Sequence, residues 1–295
     1  MKLLINGMQL KMVIIMSWTT KKDNDTAVDT NVIAEAKKVT FDARQKRFNE
    51  SFKELLKQQQ EKKTSRLVLG IWGEPKTGKT GIALDFPERP IRVLDWDRGV
   101  ESTWRECHEA TDRIQIFCPI VMNADNQIDI TKSEDNSHDF VRYVRQEIQD
   151  GLDPIFIIDG VDTWFDSCIY KVNPNPTIVT KMMPYQYGPR NKTFYHLLEA
   201  IYNLDCDVIY ITHEMERYVD NAPVGVQPAW KDWGGKLEQE IHCYRKKLKG
   251  QILYQAELVG SRTNGNLVGK VWTVREGSPP NIVWNGITEL QEGKI

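Results

Sequence analysis

The sequence predicts an α/β protein with a mostly parallel sheet that is flanked by helices on both faces. Short apolar segments typical of buried strands alternate with segments of helical spacing between residues 66 and 213. The first of these apolar segments ends in a glycine-rich turn that leads directly into a helix. After residue 250 the apolar segments follow one another with Gly and Asn between them, which predicts antiparallel strands at the C-terminal end of the sheet.

The composition and charge of the chain limit its class. Of its 295 residues 40% are hydrophobic and 27% are charged, as in ordinary soluble globular proteins, and the net charge is -2. This balance excludes a nucleic-acid binder that is basic over its whole surface, but not one with a local basic surface. The 5 cysteines never form a C-x-x-C pair and the histidine spacing has no metal signature, so we expect neither disulfides nor a zinc module. No apolar span reaches the roughly 20 residues of a membrane helix, so we expect a soluble, cytoplasmic protein.

The chain divides into three predicted regions. Residues 1–33 are predicted to form a flexible N-terminal extension, because their apolar start is interrupted by polar residues and the remainder is polar without a period. Residues 34–65 are predicted to form a basic amphipathic helix, since their aromatic and leucine side chains share one stripe. The basic face of this helix is a solvated surface, a subunit-docking arm or a nucleic-acid-binding face, and the sequence does not choose between them. Residues 66–290 contain the α/β domain.

Each element of this domain follows from its local pattern. Runs of β-branched and other apolar residues bounded by polar turns predict the strands of the parallel sheet. These strands are 66–72, 91–95, 113–118, 154–159 and 206–213. Apolar residues three and four positions apart predict the helices, which are 80–86, 138–151, 162–172 and 191–204. The antiparallel strands are 251–258, 267–274 and 281–284.

The turn after the first strand carries the pattern G-x-x-x-x-G-K-T. Glycine in such a loop lets the backbone N–H groups turn inward toward an anion, here at Gly73 and Gly78. Lys79 would reach the β- and γ-phosphates, and the Thr80 hydroxyl would be a ligand of Mg²⁺. The sequence therefore predicts a P-loop NTPase that binds a nucleoside triphosphate with Mg²⁺. The residues expected to contact the nucleotide are Gly73, Glu74, Pro75, Lys76, Thr77, Gly78, Lys79, Thr80 and Gly81.

Polar residues at other strand ends complete the predicted site. Asp159 ends the most apolar strand, where a carboxylate would hold a Mg²⁺-bound water. Asp97 follows the second strand and is the candidate to activate water, with Glu101 as the alternative and a turn-capping role for Asp97 also open. Thr212 and His213 end the last parallel strand, where a polar side chain either senses the γ-phosphate or is structural.

These motifs together resemble a known family. The phrases GEPKTGKTGIALDFP, IRVLDWDRG, FIIDGVDTW and AELVGSRTNGNLVGKVW, with the segment 187–214, are similar to the RecA-like AAA nucleotide-binding proteins encoded by phages and archaeal viruses. Those proteins are related to the RecA, Rad-type and KaiC ATPases, and some are proposed to assist single-strand annealing in recombination. The likeness spans roughly residues 66–275. It implies a RecA-like ATPase domain over 66–290, with ATP and Mg²⁺ as cofactors and a ring or filament as the homo-oligomer.

The resemblance also implies roles for individual residues. Asp97 falls where the family usually carries a catalytic Glu, and its shorter side chain puts efficient hydrolysis, though not binding, in doubt. Thr212 and His213 match the sensor strand. Arg262, or Lys270 as a second candidate, would act on the γ-phosphate of a neighbouring subunit, whereas the alternative for Arg262 is an exposed turn arginine.

Two segments are candidates to contact single-stranded DNA, because RecA-like folds present the loops after the Asp159 strand and after the sensor strand to DNA. These segments are 171–190 and 217–236, in which cations are interleaved with aromatic residues. The candidate DNA-binding residues are Lys181, Arg190, Arg217, Trp230, Lys231 and Trp233. The alternative is that the aromatic side chains of these loops fold back onto the protein body.

The leading hypothesis is a Mg²⁺-dependent ATPase that acts on DNA in recombination, annealing or replication of a virus or mobile element. One alternative is a nucleotide-gated binding module or partner switch with little hydrolysis. Another is a DNA-translocating motor, which would normally need a nuclease domain or pore loops. A GTPase is not expected, because NKTF at 191–194 lacks the final Asp of an N-K-x-D motif, and no Arg-rich lid indicates a small-molecule kinase.

Overall fold

The computed structural model describes residues 30–61, 66–85, 89–107, 112–173, 182–230, 232–276, 281–282 and 290. The chain divides into two compact units, residues 1–64 and residues 65–295. The described part of the first unit is one long helix, α1 (Thr30–Glu61), which overlaps the predicted helix 34–65. Phe41, Phe48 and Phe52 of its apolar stripe are exposed to solvent. Within the described residues, no helix combines the length and the apolar character that a membrane span requires.

The second unit consists of one sheet with helices on both faces. Its strands are β1 (Val68–Gly73), β2 (Ile91–Asp95), β3 (Ile114–Phe117), β4 (Ile155–Asp159), β5 (Asp207–Val219), β6 (Ala222–Pro228), β7 (Gln239–Leu248), β8 (Gln251–Ser261), β9 (Val271–Glu276) and β10 (Asn281–Ile282). Its α-helices are α2 (Lys79–Leu84), α3 (Val100–Cys107), α4 (Ile130–Gln149), α5 (Val161–Ser167) and α6 (Pro184–Tyr202). Short 3₁₀ helices cover Cys168–Lys171, Trp233–Lys236 and Gly265–Leu267.

The strand order is β10-β9-β8-β7-β1-β5-β4-β2-β3, and β6 pairs with β5. Strands β7, β1, β5, β4, β2 and β3 run parallel to one another. Strands β8, β9 and β10 extend the sheet from β7 in antiparallel pairs. The prediction of an α/β fold with a mostly parallel sheet and C-terminal antiparallel strands is confirmed. Strand β5 lies between β1 and β4 and is parallel to both. The carboxyl ends of β1 and β4 therefore lie at the same edge of the sheet.

The apolar core lies in two layers, one on each face of the sheet. Alternate residues of β1 belong to different layers, because successive side chains of a strand point to opposite faces. Leu69 and Ile71 pack with helices α2 and α3, whereas Val68 and Trp72 pack with helices α4, α5 and α6. Burial on both faces explains why these strands read as continuous apolar runs in the sequence.

Several elements differ from the prediction. Strands β6 and β7 and helix α3 were not predicted, and β5 continues beyond His213 to Val219. Strand β6 is exposed over most of its length, so its sequence has no buried alternation that would reveal it. Helix α6 begins at Pro184 rather than at residue 191, since proline is well suited to the first position of a helix.

A partly buried ion-pair network joins the amino ends of β5, β2 and β4. The Arg89 guanidinium contacts the Asp207 carboxylate at 2.6 Å and the Asp153 carboxylate at 2.7 Å. The side chain of Asp207 is 11% exposed and that of Asp153 is 75% exposed. Asp207 also accepts the backbone N–H of Leu67, just before β1, at 2.6 Å. Asp207 therefore links the start of β5 to the segments before β1 and β2, and Arg89 extends this link to Asp153 before β4.

We predict that Asp207→Ala lowers the free energy of unfolding by about 3 kcal/mol, because it leaves a buried N–H and part of a guanidinium unpaired. Asp153→Ala is the matched control, since it removes the exposed partner of the same arginine and should cost less than about 1 kcal/mol. Urea unfolding of both variants measures the difference. Equal losses for the two variants would contradict the role assigned to Asp207.

Candidate functional site

The turn between β1 and α2 has the backbone of an anion-binding loop. Gly73 has φ +152°, and a Cβ at this position would lie 2.0 Å from the Cys243 carbonyl oxygen, so only glycine fits. Gly78 has φ +91° and Lys76 has φ +63°, both in the left-handed region. Such conformations turn successive backbone N–H groups toward the concave side of a loop. The local geometry therefore suits a phosphate chain.

Lys79 lies within this loop. Its Nζ donates to the carbonyl oxygens of Gly73 at 2.9 Å and Glu74 at 2.8 Å. Burial lowers the pKa of Lys79, while the nearby carboxylates of the site oppose that shift. The ammonium group is thus held at the loop among acidic groups, where it can pair with an anion.

The loop and the end of β4 meet through one hydrogen bond. The Thr80 hydroxyl donates to Oδ2 of Asp159 at 2.7 Å. Asp159 is buried, and its pKa is raised to about 7, first by burial and then by the charge of Asp97. The motif threonine and the strand-end aspartate, which lie far apart in the sequence, are therefore direct neighbours.

Asp97 approaches the same point from the end of β2. Its Oδ1 accepts the hydroxyl of Thr163 on α5, and burial raises its pKa. A Cβ at Gly160, where φ is +91°, would lie 2.5 Å from this Oδ1, so glycine is required for Asp97 to occupy its position. Asp95 instead accepts the backbone N–H groups of residues 99 and 100 at the start of α3. Capping is thus the role of Asp95, and Asp97 faces the site.

Asp162, a carboxylate on α5, contacts the side chains at the end of the predicted sensor strand, which is part of β5. Asp162 accepts the Thr212 hydroxyl at 2.9 Å and lies 2.9 Å from Nδ1 of His213. This contact raises the pKa of His213. Although burial opposes its charged form, the hydrogen bond with His213 lowers the pKa of Asp162. Oδ2 of Asp97 is 3.9 Å from the same His213 nitrogen.

This arrangement corrects the prediction for Thr212. Its side chain is 1% exposed and its hydroxyl is directed to Asp162, so it does not face the site. His213, the other candidate at this strand end, lines the cavity in its place. Glu101, the alternative to Asp97, is exposed on α3 and pairs with Arg105. Its side chain is not among those that line the cavity within the described residues.

These groups surround a cavity of about 780 Å³. Its volume lies within the roughly 300–1,000 Å³ of small-molecule sites. The cavity is lined by residues 75–81 of the loop together with Asp97, Gly99, Ser102, Thr103, Asp159, His213 and Tyr254. The lining therefore combines the loop with the carboxylates of Asp97 and Asp159, the two kinds of group that a metal-bound triphosphate requires.

The residues present suit Mg²⁺. Thr80 and Asp159 offer a hydroxyl and a carboxylate oxygen within one hydrogen bond of each other, and Mg²⁺ prefers oxygen ligands. Burial and the neighbouring charge of Asp97 both disfavour ionised Asp159. A divalent cation would offset that accumulated negative charge. Thr80 and Asp159 are therefore the residues that could hold the metal.

Arg262 and Lys270 lie outside this cavity in the described structure. Arg262 is exposed, and its guanidinium donates to the carbonyl oxygen of Gly235 at 2.6 Å. Lys270 lies over the Trp272 ring at 5.3 Å from the centroid. Within one chain, neither cation reaches the candidate phosphate position.

The structure also corrects several DNA-binding candidates. Trp230 is 4% exposed and Trp233 is 2% exposed, and both pack in the core layer beside α6, so neither indole is available to stack on a base. Arg190 lies 3.7 Å from the Phe165 ring centroid and donates to the Phe165 carbonyl, so it ties α6 to α5. Arg217 is exposed on the β5–β6 hairpin. Lys181 and Lys231 lie outside the described residues.

Some residues of the site were not predicted from the sequence. The predictions did not include Gly160, Asp162, Thr163 and Tyr254. The first three follow the strand-end Asp159 within the phrase DGVDTW, and their proximity to Asp159 was the available signal. Tyr254 belongs to β8, and only the antiparallel pairing of β8 with β7 brings it to the loop. No sequence pattern indicated that contact.

The fold and the site define a P-loop NTPase domain. Residues 65–263 match a protein-family model described as an AAA domain, which covers more than half of the chain. The chain therefore belongs to this AAA domain family.

Two solved structures are similar to the chain. One is a KaiC-like protein from the hyperthermophilic archaeon Pyrococcus horikoshii OT3, with a TM-score of 0.41 and 10% identity over 73% of this chain and 88% of that protein. The other is the RadB recombinase, with a TM-score of 0.40 and 14% identity over 70% of this chain and 86% of that protein. No curated protein matches the chain.

We predict a pH-dependent stability difference between wild type and Asp159→Asn. Asp159 keeps its proton to about pH 7 when folded but only to about 3.8 when unfolded, so folding binds a proton between these values. The free energy of unfolding of the wild type, relative to the variant, should fall as the pH rises from about 4 to about 7 and then stay constant.

Urea unfolding at stepped pH measures this difference. The exposed Asp125→Asn is the control, and its stability should run parallel to that of the wild type across the same pH range. A parallel curve for Asp159→Asn would contradict the raised pKa of Asp159.

Proposed function

We propose that the protein is an ATP-binding, Mg²⁺-dependent ATPase that acts on DNA in recombination, annealing or replication of a virus or mobile element, in the cytoplasm. The observation that carries this proposal is the convergence of Lys79, the Thr80–Asp159 pair and Asp97 on one cavity. Lys79 and Thr80 follow β1, Asp159 ends β4 and Asp97 follows β2. Together these groups match the parts that phosphoryl transfer requires.

The proposed roles follow from these positions. Lys79 binds the phosphate chain, because its ammonium group is already held at the loop by backbone carbonyl oxygens. Thr80 and Asp159 hold Mg²⁺, which neutralises phosphate charge when bound. Asp97 accepts a proton from the attacking water, and its raised pKa moves it toward the range that favours a general base. Thr163 orients Asp97 by its hydrogen bond.

One observation favours the alternative of a nucleotide-gated binding module with little hydrolysis. Asp97 is one methylene shorter than Glu, and one of its oxygens already accepts the Thr163 hydroxyl. A carboxylate with a short reach and a fixed orientation has less freedom to approach a water molecule. Nucleotide binding would persist in this case, because Lys79 and Thr80 do not depend on Asp97.

We also propose that Arg262 acts in a homo-oligomer, a ring or a filament. Its exposed guanidinium donates a hydrogen bond to the Gly235 carbonyl oxygen, a partner that water can replace. A cation of this kind is suited to contact the γ-phosphate held by an adjacent subunit, where it would stabilise transition-state charge.

A basic hairpin supports the DNA-binding part of the proposal. We define it as residues 244–254, the turn and flanking strands of β7 and β8. It carries Arg245, Lys246, Lys247 and Lys249, and residues 245–250 are all exposed. No Asp or Glu occurs between residues 241 and 256. A local positive charge on an exposed hairpin suits the phosphate backbone of DNA.

The base of the basic hairpin contacts the phosphate loop. Arg245 lies 3.5 Å from the Glu74 carboxylate. Tyr254 lines the cavity, and its ring lies 3.8 Å from where a Cβ of Gly78 would stand. A nucleotide in the cavity would therefore touch the same hairpin that carries the cations, which supports coupling between ATP and DNA binding.

We predict that Asp97→Asn retains ATP binding but loses turnover by about 100-fold or more, because it removes the proton acceptor. Lys79→Ala should weaken ATP binding and abolish the stimulation of turnover by single-stranded DNA. Phosphate release measured with and without DNA, beside ATP binding, tests both. Glu101→Gln is the matched acidic control and should behave as the wild type. An unchanged rate in Asp97→Asn would exclude Asp97 as the base and favour the binding module.

We predict that replacing Lys246, Lys247 and Lys249 together by Gln weakens single-stranded DNA binding by at least about 10-fold near 0.1 M salt. The slope of log affinity against log salt should become shallower by roughly 0.7 for each phosphate that the variant no longer neutralises. Fluorescence anisotropy over a salt series measures both quantities. The triple control replaces Lys132, Arg142 and Lys192, which are exposed on helices α4 and α6. Equal weakening in both triples would mean that the hairpin is not the DNA site.

A further inference from the structure

Three potential metal ligands meet on the face of the domain where α4 packs against α6. Glu134 and His138 are one turn apart on α4, so their side chains share one side of that helix. His196 comes from α6. One ligand atom from each of the three side chains lies within 4.8 Å of the other two.

The ligand atoms of the three side chains are already close to the separation that a bound metal ion requires. The rings of His138 and His196 are 4.6 Å apart between centroids and tilted by 45°. Nδ1 of His196 is 3.9 Å from Oε1 of Glu134. In a tetrahedral zinc site, bonds of about 2.0 Å place neighbouring ligand atoms roughly 3.3 Å apart. Small rotations of the side chains would therefore bring them to bonding distance.

The surroundings hold the carboxylate in position for this use. Lys171, in the 3₁₀ helix after α5, contacts Oε2 of Glu134 at 2.9 Å. This contact occupies one carboxylate oxygen and leaves Oε1 as the oxygen nearest to His196. Partners that fix a ligand from outside are a regular feature of metal sites.

The imidazole of His138 has a buried ring nitrogen, Nε2, without a hydrogen-bond partner among the described residues, and a metal would offer an interaction to this ring. Leaving a buried polar nitrogen unpaired destabilises the folded state. A ring bound to a metal through one nitrogen and oriented by its neighbours would recover part of this lost stability.

We propose that Glu134, His138 and His196 bind a transition-metal ion of the Zn²⁺ class. Two imidazoles and one carboxylate suit Zn²⁺, whereas Mg²⁺ and Ca²⁺ prefer oxygen ligands alone. His196 is 69% exposed, so a metal can enter from solvent and water can complete a fourth position. The site is separate from the nucleotide cavity, because none of its three ligands lines that cavity.

The consequence of binding is a cross-link between two helices. The metal would join α4 to α6, and the Lys171 contact extends the link to the segment that follows α5. Because α5 carries Asp162 and Thr163, the link supports the helix that holds the sensor strand and Asp97. Binding to the folded chain alone raises its stability.

The test uses the full chain without a histidine tag, with Mg²⁺-ATP present to occupy the nucleotide cavity. Titration with Zn²⁺ should show one site per chain and a rise in melting temperature. Co²⁺ should give the visible absorption of a nitrogen- and oxygen-bound ion. His196→Ala should weaken Zn²⁺ binding by at least about 10-fold. It should also remove the rise in melting temperature and the Co²⁺ absorption. It should leave ATP binding unchanged.

Two further variants complete the test. Glu199→Gln, an exposed change on the same helix, should bind Zn²⁺ as the wild type does. Glu134→Gln should abolish Zn²⁺ binding as His196→Ala does. If Glu134→Gln fails to fold without its ion pair to Lys171, His196→Ala alone decides, because that side chain is exposed. The proposal is overturned if the wild type binds no Zn²⁺, or if His196→Ala binds it with unchanged stoichiometry and affinity.

Discussion

The hydrogen bond between Thr80 and Asp159 is the contact on which the site depends. It can form because β5 separates β1 from β4 in a parallel sheet, so that both carboxyl ends open at one edge. Every other functional group is placed relative to this edge: Asp97 by β2 and His213 by β5. An antiparallel pairing at any of these strands would move its side chain to the opposite edge of the sheet.

The site brings together three buried or partly buried carboxyl groups, and burial without a counter-charge disfavours their ionised forms. Asp97, Asp159 and Asp162 lie near one another, with Lys79 and His213 as their basic neighbours. Burial and then the charge of Asp97 raise the pKa of Asp159. Burial also opposes ionised Asp162, but its hydrogen bond with His213 lowers the pKa of that carboxylate. This difference leaves Asp159 as the carboxylate that gains most from a bound cation.

Some residues of this site could be predicted from the sequence, and others could not. The phosphate loop and Asp159 were identifiable, since each function is tied to a short local pattern next to an apolar strand. Trp230 and Trp233 were misassigned as DNA contacts, because tryptophan in a polar segment reads the same whether its ring is exposed or packed. The basic hairpin was missed, since β7 was not predicted and its cations looked like an ordinary polar stretch.

The sequence by itself determined the α/β class, the phosphate loop and all the described parallel strands except β7, because periodicity, glycine conformation and motif spacing act over a few neighbouring residues. Only the tertiary structure decided which carboxylate after β2 faces the cavity, which of Thr212 and His213 reaches it, and which histidines meet a glutamate on another helix. Those choices depend on contacts between residues far apart in the chain. Side-chain direction and burial at such contacts are set by the packing of whole elements, which no local pattern encodes.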